Sequence, residues 1–222
     1  MLEYVYTGGV KPSSRRSFLK GSAIAGAASL AAGAAQAKTY QPTPIQTEGP
    51  FYPITPQKDK DFDLTHVAGR EGRAQGDVIK VSGRVLDTKG SPIEDATVDI
   101  WQANTYGRYH HPHDKSDKEI DPDFQGWAIV QSGVKGEFNF TTIKPGPYAV
   151  SKNWSRTPHI HFKVSKRGYL ELTTQMYFPG EPLNEKDRIL QHHSAEEQER
   201  LIAAKTDGQP PLYDFTIVLA EV

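Results

Sequence analysis

The chain has 222 residues, 36% of them hydrophobic, which is enough for one globular domain with a real core. A formal net charge of -1, from 26 Lys and Arg against 27 Asp and Glu, gives no argument for a nucleic-acid partner. The lack of cysteine excludes disulfides and thiolate metal sites, and 19 Gly with 16 Pro among short apolar runs favour a turn-rich β protein over a helical bundle.

At the N-terminus, Ser13-Ser-Arg15-Arg16-Ser-Phe18-Leu19-Lys20 precedes an Ala/Gly-rich run from Gly21 to Ala35 that closes on Ala35-Gln36-Ala37, a small-residue cleavage pattern. This resembles a twin-arginine export signal over residues 1–37, which implies a mature chain starting near Lys38 in the periplasm or outside the cell. The apolar run is too short and too weakly hydrophobic for a stable membrane span, which needs about 20 apolar residues. Residues 38–75 are rich in Pro, Gly and charge without a sustained period, and read as an extended arm. Within it, Thr47-Glu-Gly49-Pro50-Phe51-Tyr52-Pro53 sets a turn beside two aromatic rings.

The body begins with Ile79, Val81, Gly83 and Val85 alternating with polar residues, a first strand. After a turn at 89–92, a second strand over 96–103 places Val98 and Ile100 on one face and Trp101 on the other. Gly107-Arg108-Tyr109 then opens a polar insertion with His110, His111 and His113, read as a solvated loop. Two strands over 126–130 and 136–142 follow, and Lys144-Pro-Gly-Pro-Tyr148 is a stiff turn that presents its tyrosine.

In Arg156-Thr-Pro-His159-Ile-His161-Phe-Lys-Val164, apolar Ile160, Phe162 and Val164 alternate with His159, His161 and Lys163, so both imidazoles leave one face of a strand. By itself such a pair is a weak signal: most are ordinary surface or packed histidines, and zinc is the commonest ion of those that bind metal. A further strand over 169–178 carries Gln175 and Tyr177 on one face. Ser194-Ala-Glu-Glu197 forms a capping box for a short helix ending near Lys205, and a last strand over 213–221 turns Phe215, Ile217 and Leu219 inward. The expected fold class is all-β: a β-sandwich of about seven short, mostly antiparallel strands with long loops and one short C-terminal helix.

The ordered words from Thr47 to about Pro182 resemble the intradiol ring-cleavage dioxygenases, the family of protocatechuate and catechol dioxygenases. They run from Val98-Asp-Ile-Trp101-Gln-Ala103 to Gly107-Arg-Tyr109, then Lys144-Pro-Gly-Pro-Tyr148, Arg156-x-x-His159-Ile-His161-Phe162 and Thr174-Gln175-Met-Tyr177-Phe178. The resemblance implies a non-haem ferric ion, Fe(III), held by Tyr109, Tyr148, His159 and His161. It implies a small aromatic diol and O2 as substrates, and a cis,cis-muconate type diacid as product in aromatic compound catabolism. Tyr148 would be the ligand that swings away when a catechol binds. Arg156 would stabilise charge building on the ring, Gln175 would orient substrate or oxygen, and Gly49, Pro50, Phe51, Val150 and Tyr177 would line the pocket.

The residue types agree with this, because a free tyrosine ionises near pH 10 and phenolate at neutral pH calls for a strong Lewis acid. Val150 departs from the protocatechuate enzymes, which carry Trp two residues after this tyrosine. The lack of the helical domain typical of catechol dioxygenases favours the protocatechuate-like branch and a homo- or hetero-oligomer. Two readings of other classes compete: a non-catalytic transthyretin-like binding module, and a zinc or copper site that draws on the 110–113 histidines.

Overall fold

A computed structural model describes residues 39–222 except 56 and 58; the export signal expected over 1–37 lies outside the described residues. The strands are β1 (Val78–Asp87), β2 (Thr97–Trp101), β3 (Trp127–Gln131), β4 (Glu137–Ile143), β5 (Tyr148–Ser151), β6 (Trp154–Arg156), β7 (His159–Ser165), β8 (Leu172–Tyr177), β9 (Ala204–Thr206), β10 (Leu212–Asp214) and β11 (Ile217–Leu219). Among the described residues one α-helix, α1 (Ala195–Leu201), lies between β8 and β9. None of the described helices is long and apolar enough to cross a membrane.

Two sheets make the sandwich. β1 runs antiparallel to β4 along one edge, while its other edge takes β10 beside Lys80–Ser82 and β11 beside Val85–Asp87, both parallel to it. The second sheet has the order β3-β2-β7-β8, antiparallel throughout. Between them lies a core that includes Val81, Val85, Val98, Ile100, Ile160, Met176 and Leu219. Phe162 of the second sheet meets Phe138, Phe140 and Phe215 of the first at ring separations of 6.0, 6.1 and 5.3 Å. Gly83 is required on β1 where the chain passes from β10 to β11 beside it: a Cβ there would stand 2.0 Å from the Phe215 carbonyl oxygen.

The alternation expected for β2, β7 and β8 gives the second sheet two chemically distinct faces. Val98, Ile100, Ile160, Phe162 and Met176 face the sandwich core. Trp101, His159, His161, Gln175 and Tyr177 occupy the other face, in register: Trp101 opposite His161, His161 opposite Gln175, and His159 opposite Tyr177. That outer face is covered in turn by the extended arm, the 104–118 loop and the β5–β6 hairpin, so β7 is buried on both sides from His159 to Phe162.

Several elements differ from expectation. The last strand is broken into β10 and β11, because the chain shifts along β1 at Phe215 and Thr216. The helix stops at Leu201, short of Lys205, because Ala204–Thr206 pairs with β10. Its start is as read: Ser194 accepts from the Glu197 amide and Glu197 reaches back to the Ser194 N–H. The β5–β6 hairpin went unread, its strands being too short for a clear period. Among its described residues the arm over 39–77 has no regular strand, yet it is pinned by main-chain bonds such as Thr43 N–H to Val218 and Gln46 N–H to Thr173.

Candidate metal centre and substrate cavity

The outer face of the second sheet brings four side chains together. The Tyr109 hydroxyl stands 3.1 Å from His161 Nε2 and 3.5 Å from His159 Nε2. Tyr148 is its electrostatic neighbour and lies in turn within the field of the Arg156 charge. The Tyr148 ring lies 5.7 Å from those of Tyr109 and His159. Tyr109, His159 and His161 are buried, and Tyr148 is half-buried at the edge of a cavity.

The two tyrosines meet because the two turns that carry them touch backbone to backbone. Gly146 N–H donates to the Asn104 carbonyl at 2.9 Å, and a Cβ on Gly146 would fall 2.2 Å from the Thr105 carbonyl oxygen. Gly107, at φ +79°, similarly leaves no room: its Cβ would be 2.2 Å from the Pro147 carbonyl oxygen. Asn104 holds the first turn from within, its side-chain oxygen accepting from the amides of Tyr106 and Arg108. These glycines are the reason for both Gly-containing words in the sequence: only Gly permits this approach.

Burial sets the protonation of the cluster. Burial pushes the Tyr109 hydroxyl well above its ordinary range, and pushes Tyr148 up against the pull of the Arg156 charge. His159 and His161 are driven well below theirs, by burial first and then by Arg156. His159 Nδ1–H donates to the Thr157 carbonyl at 2.6 Å, which leaves its Nε2 lone pair facing Tyr109. The cluster is thus a set of neutral imidazoles with free lone pairs and buried phenols that only a cation would ionise. This donor set fits a hard trivalent ion such as Fe(III). Among the described residues no group of three or more His, Cys, Asp or Glu side chains could hold a metal.

Among the described residues, the 110–113 histidines form no metal-holding group of three or more with His159 and His161. His110 and His113 are exposed, but His111 is buried, which corrects the reading of a wholly solvated loop. Its ring packs edge-on to Phe51, its Nδ1 accepts the His113 amide, and it is bonded to the Tyr52 backbone. Its Nδ1 is therefore spent on local structure.

Arg156 is 3% exposed and engaged through Nε and one terminal nitrogen. Its Nε–H donates to Asp187 Oδ2 at 2.8 Å, and one terminal nitrogen donates to Gln175 Oε1 at 2.6 Å and to the Tyr177 hydroxyl at 3.1 Å. Burial works against its charge, but Tyr177, Tyr148 and Asp187 outweigh that and raise its pKa. Asp187, wholly buried, was missed in the sequence, since one acidic residue in a polar segment carries no local signal. Gln175 lies behind Arg156 and bonds the Thr47 carbonyl at 2.8 Å. Tyr177 is likewise behind the histidines, donating to Gln46 at 2.7 Å, and is not part of the cavity wall.

That cavity, of about 530 Å³, opens over Tyr148 and Arg156 and is walled by Gly49, Pro50, Phe51, Val150, Trp154, Ile189 and the 114–118 loop. Phe51 stacks on Tyr109 at 4.7 Å and 28°. A larger depression of about 630 Å³ lies beside it against Arg108, His110 and His111 and shares Asp114 and Lys115, but it touches none of the four clustered side chains.

Residues 47–219 match the dioxygenase family model Dioxygenase_C. The chain belongs to the intradiol ring-cleavage dioxygenase family. This dioxygenase is 37% identical over 196 residues to the protocatechuate 3,4-dioxygenase beta chain of Burkholderia cepacia, with 77% of this chain and 83% of that one covered. It is 30% identical over 190 residues to the alpha chain from the same organism, covering 81% and 92%. It spans between 42% and 60% of the length of the hydroxyquinol, catechol and chlorocatechol 1,2-dioxygenases it matches. Among solved structures, the dioxygenase domain of a dioxygenase and carbohydrate-binding protein fusion from Streptomyces sp. SirexAA-E superposes with a TM-score of 0.62 at 29% identity, covering 82% of this chain and all of that one.

In this intradiol dioxygenase Val150 leaves half its side chain exposed at the mouth of the cavity. The aromatic wall comes instead from Trp154, on the neighbouring strand of the same hairpin. Tyr148 pairs with Arg156 across that hairpin, and a register shift between Ala149 and Ser151 leaves Val150 unpaired while Trp154 pairs with Ser151; both Val150 and Trp154 still line the cavity.

Proposed function

We propose that this dioxygenase cleaves a catechol-type ring between its two hydroxyl-bearing carbons, with both atoms of O2 entering a cis,cis-muconate type diacid. The observation that carries the reading is the convergence of the Tyr109 hydroxyl with the Nε2 atoms of His159 and His161, beside Tyr148 on a cavity edge. Tyr109, Tyr148, His159 and His161 would hold a non-haem Fe(III), which when bound supplies the Lewis acidity that ionises phenols and catechols near neutral pH and activates the ring toward O2.

The chain's own residues divide the remaining work. Tyr148, the least buried of the four residues and close to the Arg156 charge, would leave the cluster as a phenolate and take a proton from the incoming diol at Oη. Arg156, held rigidly by Asp187 and Gln175, offers a fixed positive charge where negative charge develops on the ring. Phe51 covers Tyr109, and with Pro50 and Trp154 it gives the diol an apolar slot that excludes water. Gln175 acts by orienting Arg156.

Kinship to both an alpha and a beta chain supports assembly with a second chain or with itself. The Arg15-Arg16 signal supports export by the twin-arginine route to the periplasm or beyond; a mature N-terminus near Lys38 is the expected finding, and Met1 intact on mature cytosolic protein would reject it.

The test is to load the purified mature chain with iron, record its visible spectrum and follow oxygen uptake with a panel of catechols. A red-brown phenolate-to-Fe(III) band and one O2 consumed per diol are expected. Tyr148→Phe and His161→Ala should each cut turnover sharply, the second with loss of iron. A colourless iron-loaded protein, or normal iron and turnover in His161→Ala, would refute the ligand set.

A further inference from the structure

The two histidines of the cluster are oriented by different means. His159 donates its Nδ1–H to the Thr157 carbonyl, the usual way a metal-binding imidazole has its plane fixed. His161 Nδ1 is buried and has no protein hydrogen-bond partner. What lies along the His161 ring is Trp101, its direct cross-strand partner, stacked at 4.8 Å and 11°. The Gly49 turn abuts the same imidazole, with a Cβ position 3.7 Å from Cε1.

Trp101 is not anchored by its own indole N–H either, since Nε1 is buried without a partner. Its place is set by neighbouring rings, chiefly Tyr52, which meets it edge-on at 5.0 Å and 86°. Tyr52 in turn is clamped: its hydroxyl donates to Asp99 Oδ2 at 2.7 Å, and Asp99 Oδ1 accepts the Trp127 indole N–H at 2.7 Å. The Lys163 ammonium stands 4.0 Å from the Tyr52 ring and pairs with Glu48.

We propose that Asp99, acting through Tyr52 and Trp101, sets the plane of the His161 imidazole, so that an aromatic stack does at His161 what a hydrogen bond does at His159. Asp99, Tyr52 and Trp101 are then positioning residues. The proposal rests on the ferric reading for what the ring binds, but not for how the ring is held. Asp99 is two residues from Trp101 on the same face of β2, which is why one buried carboxylate can reach both the tyrosine above that tryptophan and the Trp127 indole on β3.

The experiment compares Tyr52→Phe, Asp99→Asn, Trp101→Phe and Trp101→Leu with wild type, and with Ile100→Val as a control that loosens the same strand from its core face. In metal-free protein, proton NMR of His161 should show ring protons shifted upfield by the Trp101 face. That shift should shrink in Tyr52→Phe and Asp99→Asn, vanish in Trp101→Leu and be partly kept in Trp101→Phe. In iron-loaded protein, transfer of iron to a chelator should be roughly 10-fold to 100-fold faster in the first two variants, the range for losing an outer-shell support. Ile100→Val should change neither readout. Tyr52→Phe and Asp99→Asn with wild-type shifts and iron retention would overturn the proposal, as would equal changes in Ile100→Val. If wild type takes up no iron but the ring shifts respond as stated, the positioning holds and the ferric reading falls. If Trp101→Leu does not fold, the Tyr52 and Asp99 variants decide.

Discussion

Removing the carboxylate of Asp187 should unfold this protein far more readily than its position outside the sheets would suggest. Asp187 is wholly buried, and each of its oxygens is used twice: Oδ2 by Arg156 Nε–H and the Thr157 amide, Oδ1 by the Ile189 and Leu190 amides. In Asp187→Ala the Arg156 guanidinium, with a side chain 4% exposed, would keep its charge without its counter-ion. Breaking such a pair from one side costs about 3–5 kcal/mol, much of it the uncompensated charge. For a domain of this size that corresponds to a fall in Tm of about 6–20 °C. Urea unfolding followed by circular dichroism, with an unchanged m-value, measures it. Replacing both partners, as in Arg156→Met with Asp187→Leu, should recover most of the lost stability, because no charge then remains to be desolvated. Turnover should stay abolished in that double variant, since Arg156 itself is gone. A loss below about 1 kcal/mol in Asp187→Ala, or a double variant no more stable than the single one, would show that the pair is not the buried, mutually dependent unit described above.

Three further outcomes test other parts of the argument. Gly146→Ala puts a methyl group against the Thr105 carbonyl, so it should part the two tyrosine-bearing turns, cost about 1–3 kcal/mol by overpacking and weaken the phenolate band in the visible spectrum. Trp154→Ala should raise KM for catechols about tenfold, the loss of roughly 1.4 kcal/mol of apolar contact, with iron content unchanged; an unaltered KM would place the substrate elsewhere. Ser194→Ala removes a helix cap that does not line the cavity and should cost about 1 kcal/mol in thermal unfolding with turnover intact.

Much of the sandwich was legible because a half-buried strand writes its period into the chain. Ile160, Phe162 and Val164 against His159 and His161 give both the strand and its two faces, and the same holds for Val98 and Ile100 against Trp101. What was not legible has a physical cause in each case. The break between β10 and β11 depends on which part of β1 each segment meets, and the β5–β6 hairpin is held by the turns around it rather than by any periodicity of its own. Tyr177 shares a face with Gln175, as its spacing from it requires, but alternation says nothing of depth, and so it proved to be a hidden support of Arg156 rather than a wall.

Sequence alone was sufficient for the class of fold, the family and the residue types of the cluster, since strand period, Gly/Pro turns and the ordered family words are all local. The tertiary structure decided what local pattern cannot encode: that Gly107 and Gly146 meet so that two turns nearly forty residues apart deliver Tyr109 and Tyr148 to one point. It likewise decided that Asp187 closes on Arg156, and that Asp99 and Trp101 stand behind His161. Each of these is a contact between side chains or backbones distant in the chain, and it exists only once the sheets have packed.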